Sequence, residues 1–318
     1  MSQDIVPLLN KGINRHVYLA EQMLESPLPD IFHMGDMDGR YEDEFMWELY
    51  QNPQSRGPFE PVEPGQIHAS YGKRWTPVTY ALGDMIAEED WNDDQYAVLT
   101  KLLPQKGGAL ARAHKVLREI VGANFFSVLA FAAAGNNTPT MSDGRPLFDA
   151  SHPVSLSNSG VLFSNTTSTS VDLSNSSFQV AASNIRQQPA PNNTEIMSNQ
   201  PRCLVVNPNQ NYVAKQVLRG DWQMNSAERN QNWVTEDGID LIQWAYFRKS
   251  GTVGATSSTP YNAWFVLGKD HQLYWKSRED VTVKTDYATN VLAYLFVSYA
   301  RFVCGALDWR GSFGSGGY

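Results

Sequence analysis

The stretch "ALARAHKVLREIVGANFFSVLAFAAAG", residues 109–135, limits the possible folds of this chain more than any other. Leu110, His114, Leu117, Val121, Phe125, Val128 and Ala132 recur at steps of three and four, so one helical face is apolar along its whole length. At about 1.5 Å per residue, such a helix runs about 40 Å. A rod of that length needs other elements laid along its apolar side, which leaves it as the backbone of a domain. Gly122 weakens it slightly, and Gly135-Asn136 is a stop signal. Arg112, Lys115 and Arg118 fall at i, i+3 and i+6 on one face. They read first as a solvated basic face, with a stripe facing nucleic acid as the rival. His114, on the apolar side, reads as a packed core residue.

Before this helix the chain is acidic and broken. Residues 1–35 hold Pro7, Pro27 and Pro29 around "GINRHVYLAEQML", so an extended arm with one short helical piece is expected. Residues 36–50, "DMDGRYEDEFMWELY", mix acids with large aromatics and read as solvated turn; Asp36-x-Asp38-Gly39 lacks the later ligands of a calcium loop. Residues 51–66 carry Pro53, Pro58, Pro61 and Pro64 with Gly57 and Gly65, a density of breakers that excludes regular structure. Ile67, Tyr71, Trp75, Val78 and Tyr80 then give 66–82 strand-like content, so the region reads as a long excursion from a core. "GDMIAEEDWNDDQYAVLTKLL" (83–103) reads as a helix capped by Asp84, with Glu88, Glu89 and Asp90 in its first turns, ended by Pro104 and "KGG". No His or Cys stands near those carboxylates to complete a metal site.

After the helix the character reverses. Residues 136–200 are nearly uncharged and rich in Ser, Asn and Thr, with short apolar beats that allow brief strands. A Ser-capped helix is expected over 176–188, a buried strand over 202–208, and a helix over 209–220 ended by Gly220. Strands are expected over 238–247 and 262–268, then a strand-rich close over 287–309. The tail "RGSFGSGGY" reads as flexible. The class is α+β.

Charge sharpens the contrast. The net of −8 divides into 18 acidic and 7 basic side chains in residues 1–105, against 15 and 18 in residues 106–318. An acidic chain is a poor general binder of nucleic acid. The split suits a protein whose one end packs on the opposite end of another copy. With 42% hydrophobic residues the chain can bury a real core. Cys203 and Cys304 have apolar neighbours and read as buried free thiols. The first residues lack the pattern of a secretory signal, and no run of 18 apolar residues occurs, so a soluble, cytosolically made protein is expected.

Chemistry-bearing motifs are missing: no phosphate-binding loop, H-E-x-x-H, C-x-x-C or G-x-S-x-G stands in a usable context. Asp149, Ser151 and His152 are adjacent in sequence, which is no evidence for a triad, because triad members converge from separate elements. No catalytic, cofactor-binding or metal-ligating residue is nominated. A hydrolase using Asp149, His152 and an acid from residues 36–44, and a carbohydrate-binding module suggested by Trp and Tyr, are the rivals from other functional classes.

The order of features carries a resemblance. An arm, a long Pro/Gly-broken loop, an acidic helix start, a long amphipathic helix, "SDGRPLFDASHP", a mixed section and the close "GALDWRGSFGS" together look like a tailed-bacteriophage major capsid protein of the Hong Kong 97 type. "DGRPLFDASHPVSLSNSG" resembles the G-x-P-L-F-x-x-x-H-x-N junction of Mu-like major head proteins. The resemblance implies an N-terminal arm (1–40), an extended hairpin or E-loop lying over a neighbouring subunit (41–82), and a peripheral domain with the spine helix (83–144). It further implies an axial domain (mostly 145–286) and a return to the peripheral domain with the tail (287–318). It implies that "GRPLFDASHP" is the turn from the spine helix into the axial domain, with Leu147 and Phe148 anchored in the core and His152 hydrogen-bonded locally. Tyr71, Lys73, Arg74 and Trp75 become candidate inter-subunit contacts, and Arg112, Lys115 and Arg118 a candidate inward basic face. The implied function is an icosahedral head shell built from hexamers and pentamers of this chain around double-stranded DNA, assembled in the host cytoplasm. The implied partners are a portal, a scaffold, a decoration protein and, non-specifically, the packaged DNA, with no membrane and no cofactor. An encapsulin-like compartment shell is the rival that shares the fold.

Overall fold

A computed structural model describes residues 2–23, 25–48, 50, 52–62, 64–93, 98–126, 130, 141–156, 160–167, 171–192, 195–223, 230–247 and 262–316. The chain opens with helix α1 (Ser2–Met23), a short α2 (Leu28–Ile31) and strand β1 (His33–Asp36). Strands β2 (Glu42–Glu48), β3 (His68–Trp75) and β4 (Val78–Ala87) lead to α3 (Glu88–Asn92) and the long α4 (Val98–Asn124). Then come the two-residue strands β5 (His152–Pro153) and β6 (Leu162–Phe163), α5 (Asn175–Gln187), β7 (Pro201–Val206) and α6 (Asn211–Arg219). The chain closes with β8 (Asp240–Gln243), β9 (Trp264–Gly268), β10 (Leu273–Ala288), β11 (Ala293–Ala306) and β12 (Ser312–Ser315).

Two four-stranded sheets organise these elements. One has the order β1-β10-β11-β4, the other β12-β9-β7-β8. The second is buried on both faces, and its sequence explains why. Along β9, Phe265 and Leu267 enter the main core beside Phe126, Trp275 and Trp309, while Trp264 and Val266 enter a second core beside Phe178, Leu204 and Phe313. Period-two alternation in an unbroken apolar run puts large side chains on both faces, which requires cover on both. A third cluster joins Ile13 and Val17 of α1 to Leu110 of α4 and Phe296 of β11.

Several expectations change. The N-terminal residues form a 22-residue helix instead of an extended arm with a short helical piece. It is held by burial of Ile13 and Val17 and by Asn14, whose side chain exchanges two 2.9 Å hydrogen bonds with the backbone of Val283. Residues 42–48 are a strand, not solvated turn. Residues 83–87 belong to β4 and not to a helix; pairing with β11 overrides the local acidic signal, and helix begins only at Glu88. Asp84 caps nothing of that kind: it sits in the strand and meets Lys106 Nζ at 2.6 Å.

Pro104 and Gly107-Gly108 do not interrupt α4. At Gly107 an added Cβ would lie 3.1 Å from His16 Cβ, and at Gly122 it would lie 2.8 Å from Leu28 Cδ2, so both glycines are points of close approach by the preceding elements. The end of the expected helix, residues 127–129 and 131–135, lies outside the described residues. The expected strand over 238–247 contracts to β8. β10, absent from the sequence reading, is the longest strand described. The tail is not flexible over 312–315: those residues pair with β9 and are fully buried.

Other expectations hold. Ser174 caps α5 in a reciprocal capping box with Ser177, β7 ends at Val206 before Asn207-Pro208, and α6 ends at Gly220. His114 is buried, with Nε2 3.0 Å from Ser298 Oγ, and burial pushes its pKa down.

Candidate functional site

The junction "GRPLFDASHP" is a hub of buried contacts. His152 is fully buried and lies flat on Trp309, the ring centres 5.0 Å apart. Its Nδ1 is 2.7 Å from Asp143 Oδ2, and its Nε2 is 3.2 Å from the carbonyl of Leu147. Ser151 Oγ donates to Asp149 Oδ1 at 2.8 Å, so hydroxyl and imidazole serve different partners and form no relay. Asn165 Nδ2 donates to Leu147 O at 2.7 Å, while its Oδ1 accepts from the Asp149 amide at 3.0 Å. Arg310 is buried against Asp308 at 2.8 Å and also donates to the carbonyls of Val154 and Pro189. Leu147 and Phe148 are in the main core. The buried charges are paired and hydrogen-bonded, as burial requires; this is structural chemistry.

Beside this hub stands the β2–β3 hairpin, antiparallel from Glu42↔Trp75 to Glu48↔His68. Its root is pinned. Trp75 is fully buried with Met37 and Leu307, and its Nε1 donates to Glu44 Oε2 at 2.9 Å. Lys73 Nζ lies 4.8 Å from the Trp75 ring and donates to Ala306 O at 2.9 Å; burial pushes its pKa down to about 8. Lys276 of β10 meets Glu42 and Glu44, each at 3.0 Å. Burial alone would lower Lys276, but the hydrogen bonds to Glu44 and Glu42 outweigh it and raise it. Glu48 Oε1 accepts from Ser70 Oγ (3.1 Å), Ser155 Oγ (2.9 Å) and the Leu156 amide (2.9 Å), which ties β2 to the segment after the junction.

The outer face of the hairpin is bare. Phe45 and Trp47 are 54% and 59% exposed, and Tyr50 and Phe59 are exposed as well. Arg74 lies over the Tyr41 ring and pairs with Asp43 at 2.7 Å on this open side, where solvent screens the contact.

The residues singled out from sequence therefore divide. Lys73 and Trp75 face their own chain, Tyr71 is half-buried, and Arg74 is exposed. Trp75 is thereby removed from any surface offered to a neighbour. On α4, Arg112 is exposed, but Lys115 meets Glu119 at 3.6 Å and the carbonyl of Glu25, and Arg118 meets Glu21 at 3.3 Å. Those two hold the end of α1. Glu21 is pushed up by burial despite Arg118. Glu48, Lys276 and Arg310 went unseen in the sequence; Lys276 finds Glu42 and Glu44, Glu48 finds Ser155, and Arg310 finds the carbonyls of Val154 and Pro189, all more than 100 residues away, so no spacing signals them. Burial pushes both Cys203 and Cys304 thiols up to about 12, so neither is an activated nucleophile. Among the described residues no group of three metal-ligating side chains occurs, and no helix is long and apolar enough to cross a membrane.

The sequence model of a family described as phage capsid protein matches residues 71–313. No curated protein matches the sequence. Among solved structures, the capsid of the cyanophage P-SCSP1u is similar at 13% identity and TM-score 0.56, over 93% of this chain and 90% of that one. A structure of Mycobacterium phage Ogopogo is similar at 10% identity and TM-score 0.52, over 91% of each chain. One of Microbacterium phage Oxtober96 is similar at 12% identity and TM-score 0.52, over 93% of this chain and 94% of that one. Likeness at such identities is a likeness of fold, and the fold is the Hong Kong 97-type capsid fold expected from the order of features.

Proposed function

The chain belongs to the phage capsid protein family, and from that premise we propose how its parts serve a shell. It is a structural protein, the major subunit of a virion capsid, and it self-associates. In the proposal, hexamers and pentamers of this chain close into an icosahedral head around double-stranded DNA, in the cytoplasm of the host, without enzymatic activity of its own. The hairpin, within residues 41–82, is the E-loop that lies over a neighbouring copy. Residues 1–40 are the N-terminal arm, α4 is the spine of the peripheral domain, and the buried sheet of β7, β8, β9 and β12 is the centre of the axial domain. A portal, a scaffold and a decoration protein complete the head. The packaged DNA is met non-specifically, with Arg112 the most available cation of the α4 face.

One observation carries the reading: the hairpin is pinned at its root by Trp75, Lys73 and Lys276 and at the far end of its ladder by Glu48, yet exposes Phe45 and Trp47 to water. A hairpin held that firmly with bare aromatics outward is complete only against a second surface. The test is expression of the chain alone, followed by size-exclusion chromatography and negative-stain electron microscopy. Closed shells or hexameric sheets are expected. A monomer that stays small even beside the other head proteins overturns the proposal.

A further inference from the structure

We infer that two copies of this chain join edge to edge through β4, antiparallel across a two-fold axis at Gly83, so that their sheets run on into each other. The shell reading above neither names nor requires this contact. β4 is the outer strand of its sheet and pairs only with β11. That pairing fixes which of its backbone groups are left over. One step past the last ladder pair, Ala87↔Ala293, the Glu88 amide donates to Leu292 O at 2.9 Å. Bonded and non-bonded pairs alternate in an antiparallel ladder. Ile86, Asp84, Leu82, Tyr80 and Val78 therefore bond to β11. Thr79, Ala81, Gly83, Met85 and Ala87 turn their backbone N–H and C=O groups the other way, and all of them are exposed. The Met85 amide accordingly donates to the side chain beside it, Asp84 Oδ1, at 2.9 Å. Among the described residues no backbone group meets this outer row.

An open edge of ten residues is a template for another strand, and chains that keep one unpaired blunt it with charge, proline or a bulge. β4 has none of these devices. Its register on β11 is unbroken, and its single charge, Asp84, is met by Lys106 Nζ at 2.6 Å. It also leaves Met85, Val78 and Leu82 59%, 51% and 45% exposed.

The occupant follows from comparing the edges. β1 and β8 are four residues each, too short to span the row. β12 is buried along its length. β2 carries Glu42, Asp43, Glu44 and Glu48, β3 carries His68, Lys73 and Arg74, and their ladder slips between Phe45 and Trp47. Among the described strands, only the β4 of a second copy is both long enough and unblocked. Pairing it with itself makes an isologous contact, the commonest way for like chains to join. With Gly83 on the axis, Ala81 faces Met85 and Thr79 faces Ala87. Every outward group is then used, and each larger side chain stands opposite a small one.

The test compares the isolated subunit with its associated form by hydrogen exchange read at single residues. The amides of Thr79, Ala81 and Gly83 are expected to slow at least about tenfold on association, while those of Tyr80 and Leu82 are protected in both forms. Gly83→Cys is accommodated, because an added Cβ would meet nothing nearer than 3.9 Å. The axis puts its two Cα atoms about 5.5 Å apart, within disulfide reach. Air oxidation is expected to link Gly83→Cys copies into dimers and to leave Thr79→Cys and wild type unlinked. Ala81→Pro removes an outward amide that β11 does not use, so it should fold normally by circular dichroism yet associate about tenfold more weakly. Particles whose three outward amides exchange as fast as in the subunit overturn this contact and leave the shell. Slowed amides without the Gly83→Cys link overturn it in favour of a different strand. Linked dimers that build no shell uphold it and overturn the shell reading. A chain that stays monomeric overturns both.

Discussion

The sheet of β12, β9, β7 and β8 and the hairpin of β2 and β3 use the same pleated geometry to opposite ends. In the sheet, β9 and β12 are buried at every position, and both faces meet a core of this chain. In the hairpin, β2 reaches full burial only at Glu48, beside the connecting loop. One element is finished by its own chain on both faces; the other is finished only on the face turned to its own chain. The lesson is that exposed aromatics here are not a failure of folding. They stand on a support whose buried contacts are satisfied, which is how a surface is kept ready for a partner.

The comparison can be broken most strongly from inside the sheet. Phe265→Ala removes a ring stacked on Phe126 at 4.2 Å in the main core. It is expected to cost about 3–5 kcal/mol, read from denaturant unfolding of the dissociated subunit. His152→Ala leaves Asp143 buried without its partner and strips the face of Trp309. A loss of about 3 kcal/mol is expected by the same measurement. A stability unchanged within error would revive a role for His152 other than support.

A smaller effect should appear with acid at the seam between the sheets. His271 lies between β9 and β10, stacked on His33 at 4.3 Å, and burial holds its pKa near 3 against an ordinary 6.5. The unfolded chain takes up this proton below pH 6.5 and the folded chain does not. Stability is therefore full above that pH and falls through the window down to about 3. The slope approaches about 1.4 kcal/mol per pH unit for this group. His271→Gln should flatten that part of the urea-midpoint profile against pH; an unaltered slope would place the acid sensitivity elsewhere.

The smallest expected effect on stability sharpens the contrast best. Phe45→Ser and Trp47→Ser change exposed side chains, so the subunit should unfold within about 0.5 kcal/mol of wild type. Assembly, followed by sedimentation, should nevertheless fall. A large stability loss would mean that the outer face packs on its own chain after all.

How much could be read in advance depended on whether the signal was local. The Ser174 cap and the apolar runs at 202–206 and 264–267 each lie within a few residues, and those elements formed as expected; the periodicity marked α4 as far as its described end, but the helix starts at Val98, ahead of the expected break. The acidic run at 83–90 also looked local, yet Leu82, Asp84 and Ile86 are held in a strand by β11, more than 200 residues away. "SFGS" looked like a loose end because nothing near it supplies a partner; its partner is β9. The candidate contacts at 71–75 lie on one strand of the hairpin but on both of its faces. Strand alternation separates Lys73 and Trp75 from Arg74, and only the pairing register says which set turns inward.

By itself the sequence determined the class, the long helix, the doubly covered strands, the charge imbalance and the order of features that marks a capsid subunit, because each depends on residue type and near spacing. The tertiary structure alone decided that glycines in α4 admit neighbouring elements, that Glu48 and Lys276 fasten the hairpin, and which aromatic rings remain in water. Most of those outcomes depend on contacts between residues about 90 to 230 positions apart. Their energies exceed the roughly 1 kcal/mol of local propensity that the sequence displays.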